Sequence, residues 1–243
     1  MLPGLPNHAA SFRSHRYSVS AEDSDLHADI DSPSGAVLVV VRVNSGVYLS
    51  SSDRSIPAFN VSNLAAGSRV ILLNDGEIRG AGGDGGPGKA LSSSLDFGGG
   101  GGGAGVVPGI GALGGRAFDP GGAPVNGEDG TEFLGGANGE AALYSQLAYP
   151  RDAATGEDGG TAILSAGVTI TVYNNGTIWG GGGGAAGYTD AGPPFDVFGG
   201  DPGQPGGSHT GTPPGGAGGY AINGTDVTVA TGGSSPDLEG DIG

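Results

Sequence analysis

The strongest apolar pattern lies early in the chain. Val37-Leu38-Val39-Val40-Val41-Arg42-Val43 is a β-branched run bounded by polar residues. Asn44-Ser45-Gly46 follows with turn chemistry, and Val47-Tyr48-Leu49 resumes the apolar pattern, so this stretch predicts a β-hairpin. Arg16-Tyr17-Ser18-Val19-Ser20 alternates more weakly, and the acidic segment from Glu22 to Asp31 reads as a loop or a polar edge. Nothing up to Leu73 carries a helical period. Residues 1–65 therefore read as a small N-terminal β region.

Beyond it the chain repeats itself. Ala66-Gly67-Ser68-Arg69-Val70-Ile71-Leu72-Leu73-Asn74-Asp75-Gly76-Glu77-Ile78-Arg79-Gly80 returns 100 positions later as Ala166-Gly167-Val168-Thr169-Ile170-Thr171-Val172-Tyr173-Asn174-Asn175-Gly176-Thr177-Ile178-Trp179-Gly180. In each copy an apolar strand meets an Asn-x-Gly turn, then a short Gly-x-Ile-x-Gly strand, then a glycine tract. Asn and Gly suit the turn because both tolerate positive φ. A weaker third copy, Gly224-Thr225-Asp226-Val227-Thr228-Val229, precedes Gly240-Asp241-Ile242-Gly243, and its approach, Gly218-Gly219-Tyr220-Ala221-Ile222, matches Gly159-Gly160-Thr161-Ala162-Ile163.

The glycine tracts change the picture more than anything else. Of 243 residues, 56 are Gly and 16 are Pro, which argues against helical architecture because Gly costs about 1 kcal/mol per helical position. Glycines recur every third residue from Gly80 to Gly88, and again at Gly200, Gly203 and Gly206. Three is the period of the polyproline II helix, which has no internal hydrogen bonds and gains them only from neighbours. The expected fold is mostly irregular and β, with little or no α-helix. Residues 66–243 are read as strand-turn repeats carrying packed glycine-rich polyproline II helices. Gly76, Gly80, Gly83, Gly176, Gly180 and Gly203 are the turn and rod glycines on which this depends.

Charge narrows the function. The formal net charge is −16, with a single lysine, Lys89, so a phosphate backbone would be repelled and nucleic acid is not an expected partner. There is no cysteine, hence no disulfide or thiol chemistry. The longest apolar run, Ala36 to Val41, is too short to cross a bilayer. Met1 to His8 lacks the apolar stretch of a signal peptide. A soluble chain made in the cytoplasm is expected, with no membrane insertion.

Catalytic chemistry is not indicated. His8, His15, His27 and His209 show no ligand spacing, Gly88-Lys89-Ala90 lacks the ending of a phosphate-binding loop, and no nucleophile elbow is present. No enzyme activity, cofactor or metal is therefore expected. Two Gly-Glu-Asp-Gly segments, Gly127 to Gly130 and Gly156 to Gly159, could offer carboxylates to calcium or could be solvated acidic turns. Trp179, the single tryptophan, reads either as a binding platform or as an anchor packing the strands onto the glycine rods.

Between the tracts lie segments rich in aromatics, among them Tyr144, Tyr149, Tyr188, Phe195 and Phe198. Loops on a rigid scaffold commonly carry binding residues, so these five are the candidate contact residues. The strand, Asn-x-Gly-x-Ile-x-Gly and polyglycine run of Asn74 to Gly86 and of Asn174 to Gly184, with the partial copy at Gly218 to Gly243, resembles the distal tail-fibre adhesin of T-even-like bacteriophages. The resemblance covers about residues 60 to 243. It implies an attachment domain followed by a sandwich of polyproline II helices whose variable loops contact a receptor on the bacterial outer membrane. It further implies a place in the virion tail, assembly in the host cytoplasm, other tail proteins as partners, and either a homotrimer or a cap on a trimeric fibre. A structural virion component without receptor contact, such as a fibre, tail-tip linker or head decoration, is the alternative, and a glycine-rich ice-binding protein a more distant one.

Overall fold

A computed structural model describes residues 11–86, 93–96, 102–103, 105, 129–131, 142–146, 155–186, 198–208, 213–230 and 237–243. The chain winds through three parallel sheets in turn, and each circuit adds one strand to a sheet. The first circuit holds β1 (Ser11–Tyr17), β2 (Ala21–Glu22) and β3 (Ser24–Asp25), followed by a single helical turn, α1 (Leu26–Asp29). The second holds β4 (Val37–Val43), β5 (Tyr48–Ser50) and β6 (Phe59–Asn60). The third begins with β7 (Arg69–Asn74) and β8 (Glu77–Arg79), passes a long insertion that contains β9 (Ser93–Asp96) and β10 (Ala142–Gln146), and closes with β11 (Ile163–Leu164). The fourth holds β12 (Thr169–Asn174), β13 (Thr177–Trp179) and β14 (Ile222–Asn223), and the fifth β15 (Val227–Val229) and β16 (Asp237–Glu239). Stacked in the orders β1-β4-β7-β12-β15, β2-β5-β8-β13-β16 and β3-β6-β11-β14, these circuits form a parallel β-solenoid.

Register explains why the stack holds. Val39, Val70, Ile170 and Val227 are successive Cα partners in the first sheet, and Val41, Leu72, Val172 and Val229 form the next inward column. Leu49, Ile78, Ile178 and Leu238 align in the second sheet, and Phe59, Ile163 and Ile222 in the third. All three sheets converge on one core, in which Val39, Leu49, Phe59, Ile78 and Ile170 are fully buried. Each such side chain contributes about 1.5–3 kcal/mol by leaving water. β-branched residues suit these columns because same-face neighbours pack along the pleat.

The corner after the first sheet is built by a stacked asparagine. Asn74 Nδ2 donates to Asn174 Oδ1 at 2.7 Å inside the protein. Each Oδ1 also accepts the amide N–H two residues on, from Gly76 at 3.2 Å and Gly176 at 3.3 Å. Neither glycine has a positive φ, contrary to the sequence expectation. Glycine is required for space: a Cβ on Gly176 would lie 1.9 Å from Gly76 O. Among the positive φ values are those of Gly46 (75°), Gly67 (84°) and Gly167 (77°), each in a turn between sheets.

Three further expectations are corrected. β4 and β5 do not form a hairpin, because the turn between them passes the chain from one sheet to another and each pairs in parallel with the next circuit. The Glu22–Asp31 segment is not simply a polar loop: it contributes β3 and α1 and buries Leu26 and Ile30 in the core. No break occurs at residue 65, since β4 pairs with β7, β5 with β8 and β6 with β11 across it. Little helix was expected, and α1 supplies a single turn. The weak third copy is a further circuit, placed by Ile170↔Val227, by Ile178↔Leu238 and by the parallel bridge Ile222↔Ile242.

Candidate functional site

Both glycine-rich insertions leave the solenoid at the same corner, between the second and third sheets. One runs from the end of β8 to the start of β11, the other from the end of β13 to the start of β14. The outgoing arms 80–86 and 180–186 extend the β8–β13 pairing as Gly80 N–H donates to Trp179 O, Gly83 to Gly182 O and Gly86 to Ala185 O, each at 2.8 Å. These bonds recur every third residue. The returning arms run the other way. Gly181 and Gly184 donate to Gly160 O and Glu157 O at 2.8 Å, and Gly219 and Gly216 donate to Gly181 O and Gly184 O at 2.7 and 2.8 Å. Gly203 donates to Gly180 O at 2.8 Å and Gly200 to Gly183 O at 2.7 Å. Residues 80–86, 155–161 and 213–220 carry no regular strand or helix.

Arm 180–186 lies at the centre, with neighbours on every side. Cβ atoms added at Gly180, Gly181, Gly182, Gly183 and Gly184 would meet the carbonyl oxygens of Gly219, Ala81, Gly200, Gly216 and Asp84 at 1.7–2.1 Å. That contact on all sides accounts for five successive glycines. On the neighbouring arms glycine stands where another backbone comes close: Gly83 faces Glu157 O at 2.0 Å, while Ala81 and Asp84 of the same arm carry side chains. Gly80 faces Gly160 O at 2.2 Å. Gly203 combines φ +69° with a Cβ position 2.3 Å from Gly240 N.

Side chains tie this bundle to the solenoid. Arg54, between β5 and β6, pairs with Glu157 at 2.6 Å. Asp158 Oδ1 accepts from Ala217 N at 2.7 Å. Gly156 to Gly159 is thus part of an extended arm bonded to its neighbours and not a solvated turn. In the other acidic segment, Gly127 and Glu128 lie outside the described residues. Trp179 is half-buried, and the buried Arg79, its register partner, places its guanidinium 4.8 Å from the indole centre while also pairing with Glu77.

The aromatic candidates divide sharply. Tyr149, Tyr188 and Phe195 lie outside the described residues. Tyr144 falls in β10, which pairs antiparallel with β9 within the first insertion. Phe198 is 48% exposed and borders an open depression of about 500 Å³ lined also by Gly199, Gly200, Asp201, Gln204 and Pro205. Gly199, Gly200 and Gly207 form part of its wall, so it sets the Phe198 ring beside glycine backbone and the residues Asp201, Gln204 and Pro205. The sequence signal for Phe198 was its place at the edge of a glycine tract; Gln204 and Asp201 carried no comparable signal.

No protein-family model and no curated relative matches the chain. Among solved structures, the gp37-gp38 adhesin tip complex of the bacteriophage S16 long tail fiber is similar at a TM-score of 0.44 and 15% identity, over 95% of this chain and 82% of that one. A likeness at that level carries no argument about fold or role.

Proposed function

We propose that this chain is a bacteriophage tail-fibre or tail-tip protein that recognises the host cell surface, with the solenoid as its assembly scaffold and the glycine bundle as the rigid presenter of binding loops. The supporting observation is the common origin and mutual locking of the two insertions. Their arms leave one corner and bond to each other at three-residue intervals, through glycines that leave no room for a Cβ. This spacing fits packed polyproline II helices. Rigid arms lower the entropy lost when the segments joining them bind a surface. Tyr149, Tyr188, Phe195 and Phe198 are the proposed contacts, since aromatics give large area at low entropic cost and are enriched at hot spots. Tyr144 is the fifth. Other tail proteins are the proposed partners within the virion, and neither catalysis nor a cofactor is part of this role.

The test is binding of labelled purified protein to a panel of Gram-negative cells and to their outer-membrane vesicles. Tyr149→Ala, Tyr188→Ala, Phe195→Ala and Phe198→Ala should each weaken binding, the important ones by about tenfold or 1–2 kcal/mol, with melting temperatures unchanged. Normal binding by all four, or loss only in step with unfolding, would leave the structural virion role in its place.

A further inference from the structure

The outer face of the first sheet is unlike the rest of the molecule. Parallel sheets are usually covered on both faces, yet here the outward row alternates with the core row and carries Phe12, Leu38, Val40, Ile71, Leu73 and Tyr173. Phe12 is 63% exposed and Tyr173 44%, and the four aliphatic side chains are half-buried. No carboxylate occupies an outward position on β1, β4, β7, β12 or β15, in a chain with 25 acidic residues. Arg16, Arg42 and Arg69 do. Arg16 and Arg42 are direct register partners, a like-charged pair that disfavours itself. Arg42 reaches Asp75 only at 4.0 Å, and neither Arg16 nor Arg69 has a carboxylate partner among the described residues. A depression of about 320 Å³ opens here, lined by Ser14, His15, Arg16, Val40, Arg42 and Leu73.

We infer that this face docks an acidic peptide segment of another protein, one that sets apolar side chains on the aliphatic rows and carboxylates on Arg16, Arg42 and Arg69. Size favours a segment over a globular partner. Four strands about 4.8 Å apart and seven residues rising about 3.3 Å each give roughly 400 Å², half of one side of a standard protein interface of about 800 Å². The rows between Phe12 and Tyr173 are aliphatic (Leu38, Val40, Ile71 and Leu73) and offer no side-chain hydrogen bonds, which favours apolar side chains of a polypeptide over a glycan. A symmetric pair of this chain would set the three arginines against their own copies, within two bodies of charge −16. The inference does not depend on receptor recognition by the bundle.

The probe is a random glutamate–tyrosine copolymer titrated onto the full chain at low ionic strength, with polyglutamate and heparin as parallel arms. Wild-type protein should bind the copolymer more tightly than either, and added salt should weaken it. Arg16→Glu with Arg69→Glu should reduce binding tenfold or more, and Ile71→Ser with Leu73→Ser should reduce it separately. The milder Arg16→Gln with Arg69→Gln serves if charge reversal lowers the melting temperature. Absent copolymer binding, equal binding by the variants, or heparin binding as tightly as the copolymer would each overturn the inference. So would a dimer in sedimentation velocity that the arginine variants abolish, since it would give the face to a second copy.

Discussion

The solenoid and the glycine bundle meet at one corner and solve the problem of cohesion in opposite ways. In the solenoid, backbone ladders set strand spacing and stacked Val, Ile and Leu columns supply the stabilisation through burial. In the bundle there is almost no side chain to bury, and cohesion comes from backbone N–H groups bonding to neighbouring arms every third residue. A net backbone hydrogen bond is worth only about 0.5–1.5 kcal/mol, but leaving the group buried and unpaired costs about 1–3 kcal/mol. The bundle is therefore held by the sum of many small net gains, and a bond broken while its groups stay buried costs more than it contributed. What the solenoid loses by deleting atoms, the bundle loses by adding them.

That contrast is sharpest at Gly182. Its added Cβ would lie 1.9 Å from Gly200 O and 2.6 Å from Asp201 O, with no flexible side chain to yield. Gly182→Val should destabilise by about 4 kcal/mol or more, the tail reserved for severe overpacking. Hydrogen exchange at the amides of Gly200 and Gly216 should rise with it. Gly83→Val and Gly203→Val should follow closely, whereas Gly35→Ala, with nothing within 4 Å, should be near neutral. Equal tolerance at Gly35 and Gly182 would remove the packed-arm account.

In the solenoid the opposite change is the damaging one. Leu72 is fully buried between Val41 and Val172 in the inward column. Leu72→Ala should cost about 2–5 kcal/mol through lost transfer energy and a cavity, read as a lower midpoint in urea unfolding. Because neighbouring circuits share the column, protection should fall first in β4, β7 and β12.

How much of this was legible follows from the same contrast. The period of three and the uninterrupted Gly180 to Gly184 run were visible because space leaves a compositional trace. The 100-residue repeat was visible because β7–β8 and β12–β13 share their Asn-x-Gly corner. The first two circuits leave no such trace, since their register spacings, Ser11 to Val37 and Leu38 to Arg69, differ from 100 and their corners lack the paired Asn. Val37 to Leu49 reads as strand, turn, strand whether the second strand folds back or moves to a new sheet. Periodicity reports which side chains face inward and is silent on the strand's partner. Among contact candidates, exposure of Phe198 could not be read from the sequence, because a glycine tract buries or exposes its flanks according to packing alone.

A smaller effect should come from the asparagine corner. Asn74→Ala removes the 2.7 Å bond to Asn174 and the acceptor for Gly76 N–H, leaving a buried amide less well satisfied. The expected loss is about 1–3 kcal/mol, measured as a shift in melting temperature. Asn175→Ala, which breaks only the exposed bond to Asp75, should shift it much less. Equal effects would show that the corner depends on turn propensity and not on the buried ladder.

The smallest effect is confined to alkaline pH and tests how the solenoid begins. Tyr17 ends β1, 6% exposed, with its ring edge-on to Phe59 and its hydroxyl donating to Asp29 of α1. Burial first, and then the hydrogen bond to and negative charge of Asp29, hold the phenol protonated well above its usual range near 10. In the unfolded chain the same phenol ionises near pH 10. Above that pH the unfolded state binds fewer protons than the native state, so unfolding stability falls by about 1.4 kcal/mol per pH unit from this group. The contribution is complete below pH 10 and is lost as pH rises. Tyr17→Phe should cost some stability at pH 7 by removing the hydrogen bond to Asp29. Across pH 10 to 11, however, it should show a shallower decline than the parent, since the other tyrosines are common to both proteins. Urea midpoints of the two proteins at pH 8, 10 and 11 decide it. Parallel curves would mean that Tyr17 is reached by solvent and that the first circuit does not seal the core there.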